Sequence, residues 1–171
     1  MVLVVIGKNA CGKSTFSSYV AIKYNYVVYE IGDFVREAYS RIDKNISITN
    51  YTHWLYKSGN LINFLKKAVE LSKSEDNKNI IFCGIRTTEE IVLLRELYKN
   101  IRIILIECKD DIRNQRYYKH LIDNISIEAR DSSENMWCKD LWDKENADFV
   151  IYNNESIESF YKRISQLFDS L

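Results

Sequence analysis

Five short apolar runs separated by helical patterns predict an α/β fold, a five-stranded parallel sheet flanked by helices. Two observations carry the prediction. Runs such as Val2-Leu3-Val4-Val5-Ile6 and Ile103-Ile104-Leu105-Ile106 are continuous and do not alternate, as strands buried on both faces are. The stretches between the runs repeat apolar residues at helical spacing. No low-complexity linker, internal repeat or long charge block divides the 171 residues, so the chain reads as one domain with one sizeable core.

The elements follow in order. Residues 1–6 form the first strand and 14–24 a helix, with Phe16, Tyr19, Val20 and Lys23 at its spacing. Residues 26–31 form a strand, and 33–41 a helix with Asp33 as its N-cap. The polar stretch 43–50 is a loop. Residues 51–74 form one long helix whose apolar face carries Leu55, Leu61, Leu65 and Val69, weakened in the middle by Gly59. A strand at 79–83 precedes a helix at 88–98, opened by a capping box of Thr87 and Glu90. A strand at 101–108, a basic helix at 110–121 and a broken helix at 127–142 follow. The last strand is 147–152. Residues 156–171 close the chain as an amphipathic helix, with Ile157, Phe160, Ile164, Leu167 and Phe168 on its apolar stripe. The core is expected at about 1–108 and 146–171, with 109–145 as a small helical lid.

Between the first strand and its helix stands Gly7-Lys8-Asn9-Ala10-Cys11-Gly12-Lys13-Ser14, a full match to G-x-x-x-x-G-K-[ST]. Strand, glycine loop and helix is the context this phosphate-binding motif needs, and it specifies a P-loop NTPase fold. Backbone N–H groups of the loop and of the helix N-terminus converge on one anion site. Gly7, Asn9, Ala10, Cys11, Gly12, Lys13, Ser14 and Thr15 are therefore the expected ATP contacts, with Lys13 on the β- and γ-phosphates and the Ser14 hydroxyl on Mg²⁺. Cys11 lies in the nest near a helix start, where the dipole favours a thiolate.

Composition narrows the function classes. Twenty-four basic and 24 acidic residues give zero formal charge, which argues against a nucleic-acid partner. No apolar run approaches a membrane span, and no basic segment precedes the first strand as in a signal peptide. Cys11, Cys83, Cys108 and Cys138 show no C-x-x-C pairing and fit a reducing cytoplasm, and His53 and His120 are isolated, so structural zinc is not expected. The three tryptophans read as core or subunit contacts. Oligomeric state is not encoded in any pattern.

In open parallel sheets ligands sit outside the carboxyl ends of the strands. That edge gathers the P-loop, Gly32-Asp33, Gly84-Ile85-Arg86, Lys109-Asp110 and Asn153-Asn154. Arg36 and Arg86, each just past a strand end, suit a second anion clamp for a phosphate-bearing acceptor, since the guanidinium fork binds phosphate bidentately. A solvated helix face is the alternative for each. Arg113 and Arg116 share a helix face and Arg130 lies beyond; they could close over the triphosphate as a lid. Pairing with Asp110, Asp111 or Glu107 is the competing reading. Asp33 is the expected carboxylate for metal-bound water or the acceptor hydroxyl.

Together the P-loop, the Gly32-Asp33-Phe34-Val35-Arg36-Glu37-Ala38 stretch and Gly84-Ile85-Arg86 resemble the nucleoside monophosphate kinase superfamily, its adenylate-kinase-like branch in particular. The C-terminal part is similar to small adenylate-kinase-related or dephospho-CoA-kinase-like proteins, through Arg130-Asp131-Ser132-Ser133-Glu134 and the Ala147-to-Asn153 stretch. The resemblance implies that Lys13 and Ser14 handle the donor, Arg36 and Arg86 the acceptor phosphate, and Arg113, Arg116 and Arg130 the lid, with Asn153 near the nucleotide. Two departures stand out: Cys83 replaces the acid expected at the end of the third strand, and the adenylate-kinase Gly-x-Pro-Gly-x-Gly loop is Gly7-Lys8-Asn9-Ala10-Cys11-Gly12. The expected activity is ATP- and Mg²⁺-dependent phosphoryl transfer to a nucleoside or deoxynucleoside monophosphate. Dephospho-CoA is the alternative acceptor, and a regulatory NTP-binding module the alternative class. The latter needs a residue that positions a hydrolytic water, and the sequence offers no convincing Gln or Glu for that role near a strand end.

Overall fold

The computed structural model describes residues 1–42, 46–74, 79–119, 126–138 and 140–171. Parts of the expected 43–50 loop, of the 110–121 helix with His120, and of the 109–145 lid lie outside the described residues.

Five strands, β1 (Val2–Ile6), β2 (Val27–Glu30), β3 (Ile80–Cys83), β4 (Ile101–Glu107) and β5 (Phe149–Tyr152), form one parallel sheet in the order β2-β3-β1-β4-β5. Among the described residues eight α-helices accompany them: α1 (Lys13–Tyr24), α2 (Ile31–Ser40), α3 (Ile48–Lys57), α4 (Ile62–Ser74), α5 (Thr88–Leu97), α6 (Asp110–Lys119), α7 (Ile127–Cys138) and α8 (Ile157–Phe168).

Strand β1 is buried throughout, which explains its unbroken apolar run. Its side chains divide between two layers. Val2, Val4 and Ile6 pack with Leu65, Ala68 and Val69 of α4 and Ile91 and Leu94 of α5. Leu3 and Val5 pack with Phe16 and Val20 of α1 and Phe160, Ile164 and Leu167 of α8. Each such side chain contributes on the order of 1.5–3 kcal/mol of burial free energy. The two layers fix the sheet, so the loops at its carboxyl edge rest on a rigid base.

Two differences from expectation bear on the packing and the site. The helix expected at 51–74 is two helices, α3 and α4. Ser47 caps α3 by accepting from Asn50 N–H, and the chain turns at Gly59, whose φ is +68°. The break lets Leu61 join Val35, Tyr51 and Leu55 in a third apolar cluster, which a straight helix would not. Helix α2 begins at Ile31, with Glu30 in the N-cap position. Asp33 is therefore in its first turn, where a carboxylate favours the helix dipole, and is not the cap.

The capping box before α5 forms as its sequence indicates. Glu90 is fully buried, and its Oε2 accepts from the N–H groups of Thr87 at 3.0 Å and Arg86 at 2.8 Å. Burial pushes its pKa above the ordinary glutamate value, against those hydrogen bonds. The cap thus holds the Gly84-to-Thr87 turn, and with it Arg86, at the sheet edge.

Candidate active site

The loop between β1 and α1 adopts a wrapped conformation. Gly12 has φ +106° and packs so closely on Asn153 that a Cβ would overlap its amide nitrogen. Asn153, itself 5 % exposed, donates from Nδ2 to Cys11 O at 2.9 Å. Arg116 donates in turn to Asn153 O at 3.1 Å and Oδ1 at 3.3 Å. Asn153 thus supports the loop from behind, and Arg116 orients Asn153.

Lys13 turns back over the loop and donates from Nζ to Gly7 O at 2.8 Å and Lys8 O at 2.9 Å. Burial pulls its pKa down, but the neighbouring acidic groups, the Glu134 and Glu30 carboxylates among them, outweigh it, so the ammonium is held above its ordinary value. It is a permanent cation at neutral pH.

Gly7, Asn9, Ala10, Gly12, Lys13, Ser14 and Thr15 line a cavity of about 680 Å³. Glu30, Arg36, Arg86, Arg116, Glu134 and Asn153 line the same cavity. The structure therefore brings together the P-loop, Asn153 and the arginines at 36, 86 and 116. Cys11 behaves otherwise: its side chain is 1 % exposed and lies in the core layer with Phe16 and Phe160. Only its backbone belongs to the loop, and the expectation of a nucleotide-facing thiolate is corrected.

Asp33 does not line the cavity. Its carboxylate is 69 % exposed and pairs with Arg36, three residues on along α2. The carboxylates in the cavity, among the described residues, are Glu30 and Glu134. Glu30 ends β2 directly opposite Cys83 of β3 in the parallel register. Gly84, at φ +82°, lets this carboxylate approach, since a Cβ there would overlap Glu30 Oε1. Burial, and then Glu30 itself, push the Cys83 thiol far up and keep it neutral. The acid missing from the third strand is thus present one strand over, at the same level of the sheet.

Arg113 does not line the cavity either. It is 2 % exposed and its guanidinium is fully engaged, by Asp110 at 2.8 Å, by Asp131 and by Asn9 O at 2.8 Å. It is a positioning residue that ties α6 and α7 to the tip of the P-loop, not a lid cation. Arg113→Met should lower stability by about 3 kcal/mol, because Asp131 loses a buried partner. It should also raise the Kd for ATP through Asn9. Denaturant unfolding and nucleotide titration check both, and a variant of wild-type stability would count against this role.

Arg130 lines a second cavity of about 130 Å³, which shares Gly32, Arg36, Arg86 and Glu134 with the first. Its guanidinium lies 5.7 Å from the Tyr117 ring centroid. Its place is beside the pair expected to bind the acceptor, not over the P-loop.

Sequence reasoning passed over Glu30, Glu134, Tyr117 and Trp142, all of which line the large cavity. Glu30 carried a signal, as the acid next to the end of a strand run. Glu134 carried one through the Arg130-to-Glu134 element.

The cavity fits a hydrated magnesium ion: the exposed Ser14 hydroxyl and the two carboxylates are hard oxygen donors. No group of three or more His, Cys, Asp or Glu stands ready to hold a metal among the described residues. An ion here would share its coordination with phosphate oxygens and water. The four cysteines are free thiols. No helix among the described residues is long and apolar enough to cross a membrane.

Known proteins give a consistent picture. Solved structures with this fold include an unliganded sugar kinase from Janibacter sp. HTCC2649, 17 % identical, with a TM-score of 0.66 over 98 % of this chain and 94 % of that one. Shikimate kinase from Bacteroides thetaiotaomicron is 10 % identical, with a TM-score of 0.67 over 99 % and 97 % of the two chains. Shikimate kinase from Acinetobacter baumannii in complex with shikimate is 14 % identical, with a TM-score of 0.63 over 99 % and 93 %. At these identities the likeness shows the fold alone, that of the small P-loop kinases. No curated protein matches the sequence. The profile of the AAA domain family matches residues 3–154, and with its P-loop in place on a five-stranded parallel sheet the chain belongs to that family of P-loop proteins.

Proposed function

We propose that the protein transfers the γ-phosphoryl group of ATP to a small phosphate-bearing acceptor, a nucleoside or deoxynucleoside monophosphate. One observation carries the reading: a single cavity is lined both by the P-loop and by Arg36 and Arg86. Two anion sites in one cavity suit a reaction between two phosphorylated molecules, where positioning and charge neutralisation do most of the catalysis. Lys13 holds the β- and γ-phosphates. Arg86 and Arg36 hold the acceptor's phosphate, and Arg116 adds positive charge beside Asn153. Ser14 and Glu30 would hold magnesium, which when bound neutralises phosphate charge. Glu30 also offers an acceptor for a proton from the attacking group. The expected ATP, Mg²⁺ and small-molecule partner all belong to this reading.

The test is a thermal-shift panel with a non-hydrolysable ATP analogue and Mg²⁺, followed by ADP release with the ligands that stabilise. A ligand present at 100 Kd adds about 2.7 kcal/mol, so the acceptor should stand out among nucleoside monophosphates. Stabilisation only by hydroxy acids or sugars without phosphate would reject the acceptor class. ADP release independent of every acceptor would favour a nucleotide-hydrolysing switch.

A further inference from the structure

Glu134 is the one carboxylate that touches both halves of the site among the described residues. It projects from α7 into both cavities, yet its side chain is only 13 % exposed. Its Oε2 accepts from Asn9 Nδ2 of the P-loop at 2.9 Å. Its Oε1 lies 3.3 Å from Arg86 Nη1. Arg86 is half-buried, and Glu134 leads the charges that hold its guanidinium protonated against the opposing effect of burial. A carboxylate on a guanidinium fork makes the contact that an incoming phosphate oxygen would make. The two anions compete for one cation.

We propose that Glu134 is an internal counter-anion, which occupies Arg86 in the empty protein and is displaced from it when an anionic acceptor binds. The inference rests on the phosphotransferase reading of the cavity for the identity of that acceptor. Three features fit the exchange. A half-buried arginine without a partner is costly, so Arg86 needs an anion whenever no acceptor is bound. Arg36 has a different partner, the exposed Asp33, which water can replace. Helix α7 is anchored independently of Glu134, by Asp131 on Arg113 and by the Cys138 thiol, which donates to Arg86 O at 3.0 Å. Glu134 can therefore leave Arg86 by a side-chain rotation while the helix stays in place. The arrangement also sets a threshold: an acceptor must out-compete a resident carboxylate, so neutral sugars gain nothing at Arg86.

Inorganic phosphate is the probe, titrated by calorimetry at constant ionic strength into the full chain, Glu134→Gln, and the double variant Glu134→Gln with Arg86→Met. Glutamine keeps an oxygen for Asn9 and removes the charge. The expected result is phosphate binding tighter by roughly ten-fold in Glu134→Gln, as one charge at contact distance near a protein surface allows. The gain should vanish in the double variant, whereas phosphate held by the P-loop alone would keep it. Equal or weaker binding by Glu134→Gln overturns the proposal, as does a gain that survives the loss of Arg86. A merely structural Glu134 predicts weaker binding, the opposite sign. Titration of a magnesium-bound ATP analogue into the same samples reports on the kinase reading separately. Failure there with the phosphate gain intact removes the kinase and leaves the exchange standing.

Discussion

Lys13→Ala should lower kcat by about a thousand-fold or more while the protein still folds. The side chain lies outside both core layers, so no apolar contact is lost. Its ammonium satisfies two loop carbonyls, Gly7 O and Lys8 O, both of which water can reach once the lysine is gone. With nucleotide bound the same cation faces charge that grows during transfer. Removal of one such group from a water-poor site costs roughly 3–4 kcal/mol of transition-state stabilisation. The raised pKa of Lys13 sharpens the expectation, because no proton equilibrium near neutrality can mask its loss. The melting temperature without ligand should move by only a degree or two. Stabilisation by the ATP analogue should shrink, since the phosphates lose their main side-chain partner. Steady-state ADP release and a thermal melt give both quantities. Near-normal turnover in a folded variant would mean that the P-loop is not the catalytic donor site.

The parts of this molecule that local contacts determine are legible in its sequence. Apolar runs locate the five strands, most plainly the inner β3, β1 and β4, because a strand buried on both faces needs no partner in sequence to announce itself. The P-loop and the Thr87–Glu90 capping box are fixed spacings whose hydrogen bonds close within a few residues. What failed depends on contacts between distant segments. Arg113 and Arg116 are one turn apart on α6 and equivalent by spacing. Asp110, three residues back, pairs with Arg113 as the competing reading has it, and the arrival of α7 with Asp131 completes the buried tether, while Arg116 stays in the cavity. The split of α3 from α4 falls at Gly59, which the sequence marks as a weak point, but the third apolar cluster that takes up Leu61 joins segments no local pattern connects. Cys11 sits between Ala10 and Gly12, which line the cavity, yet the wrapped backbone turns its thiol into the core. Asp33 looked like the carboxylate of the site because it follows a strand end. The helix starts two residues earlier than expected, and those two residues rotate Asp33 onto the exposed face and leave Glu30 at the cavity.

That exchange of roles sets the second expected result. Glu30→Gln should reduce kcat by ten- to a hundred-fold, on the order of 1.4–2.7 kcal/mol of lost transition-state stabilisation, and raise the Mg²⁺ concentration needed for half-maximal rate. Glutamine is nearly isosteric and still fits against Gly84, whose missing Cβ makes room for either side chain. The sheet register that puts residue 30 opposite Cys83 is a backbone property and is untouched. Cys83 cannot substitute, because burial and the neighbouring carboxylate keep its thiol neutral, and a neutral thiol is a poor ligand for a hard cation. Asp33→Asn is the matched control. Its ion pair with Arg36 is exposed on both sides, and such pairs contribute at most about 1 kcal/mol. It should alter the acceptor KM by no more than a few-fold and leave the Mg²⁺ dependence alone. The two single variants, titrated with Mg²⁺ at saturating ATP, thus separate the carboxylate that faces the phosphates from the one that faces water. If Asp33→Asn shows the larger loss of kcat and Glu30→Gln turns over normally, then α2 must reorient when nucleotide binds, and the acid of the site is the one the sequence first suggested.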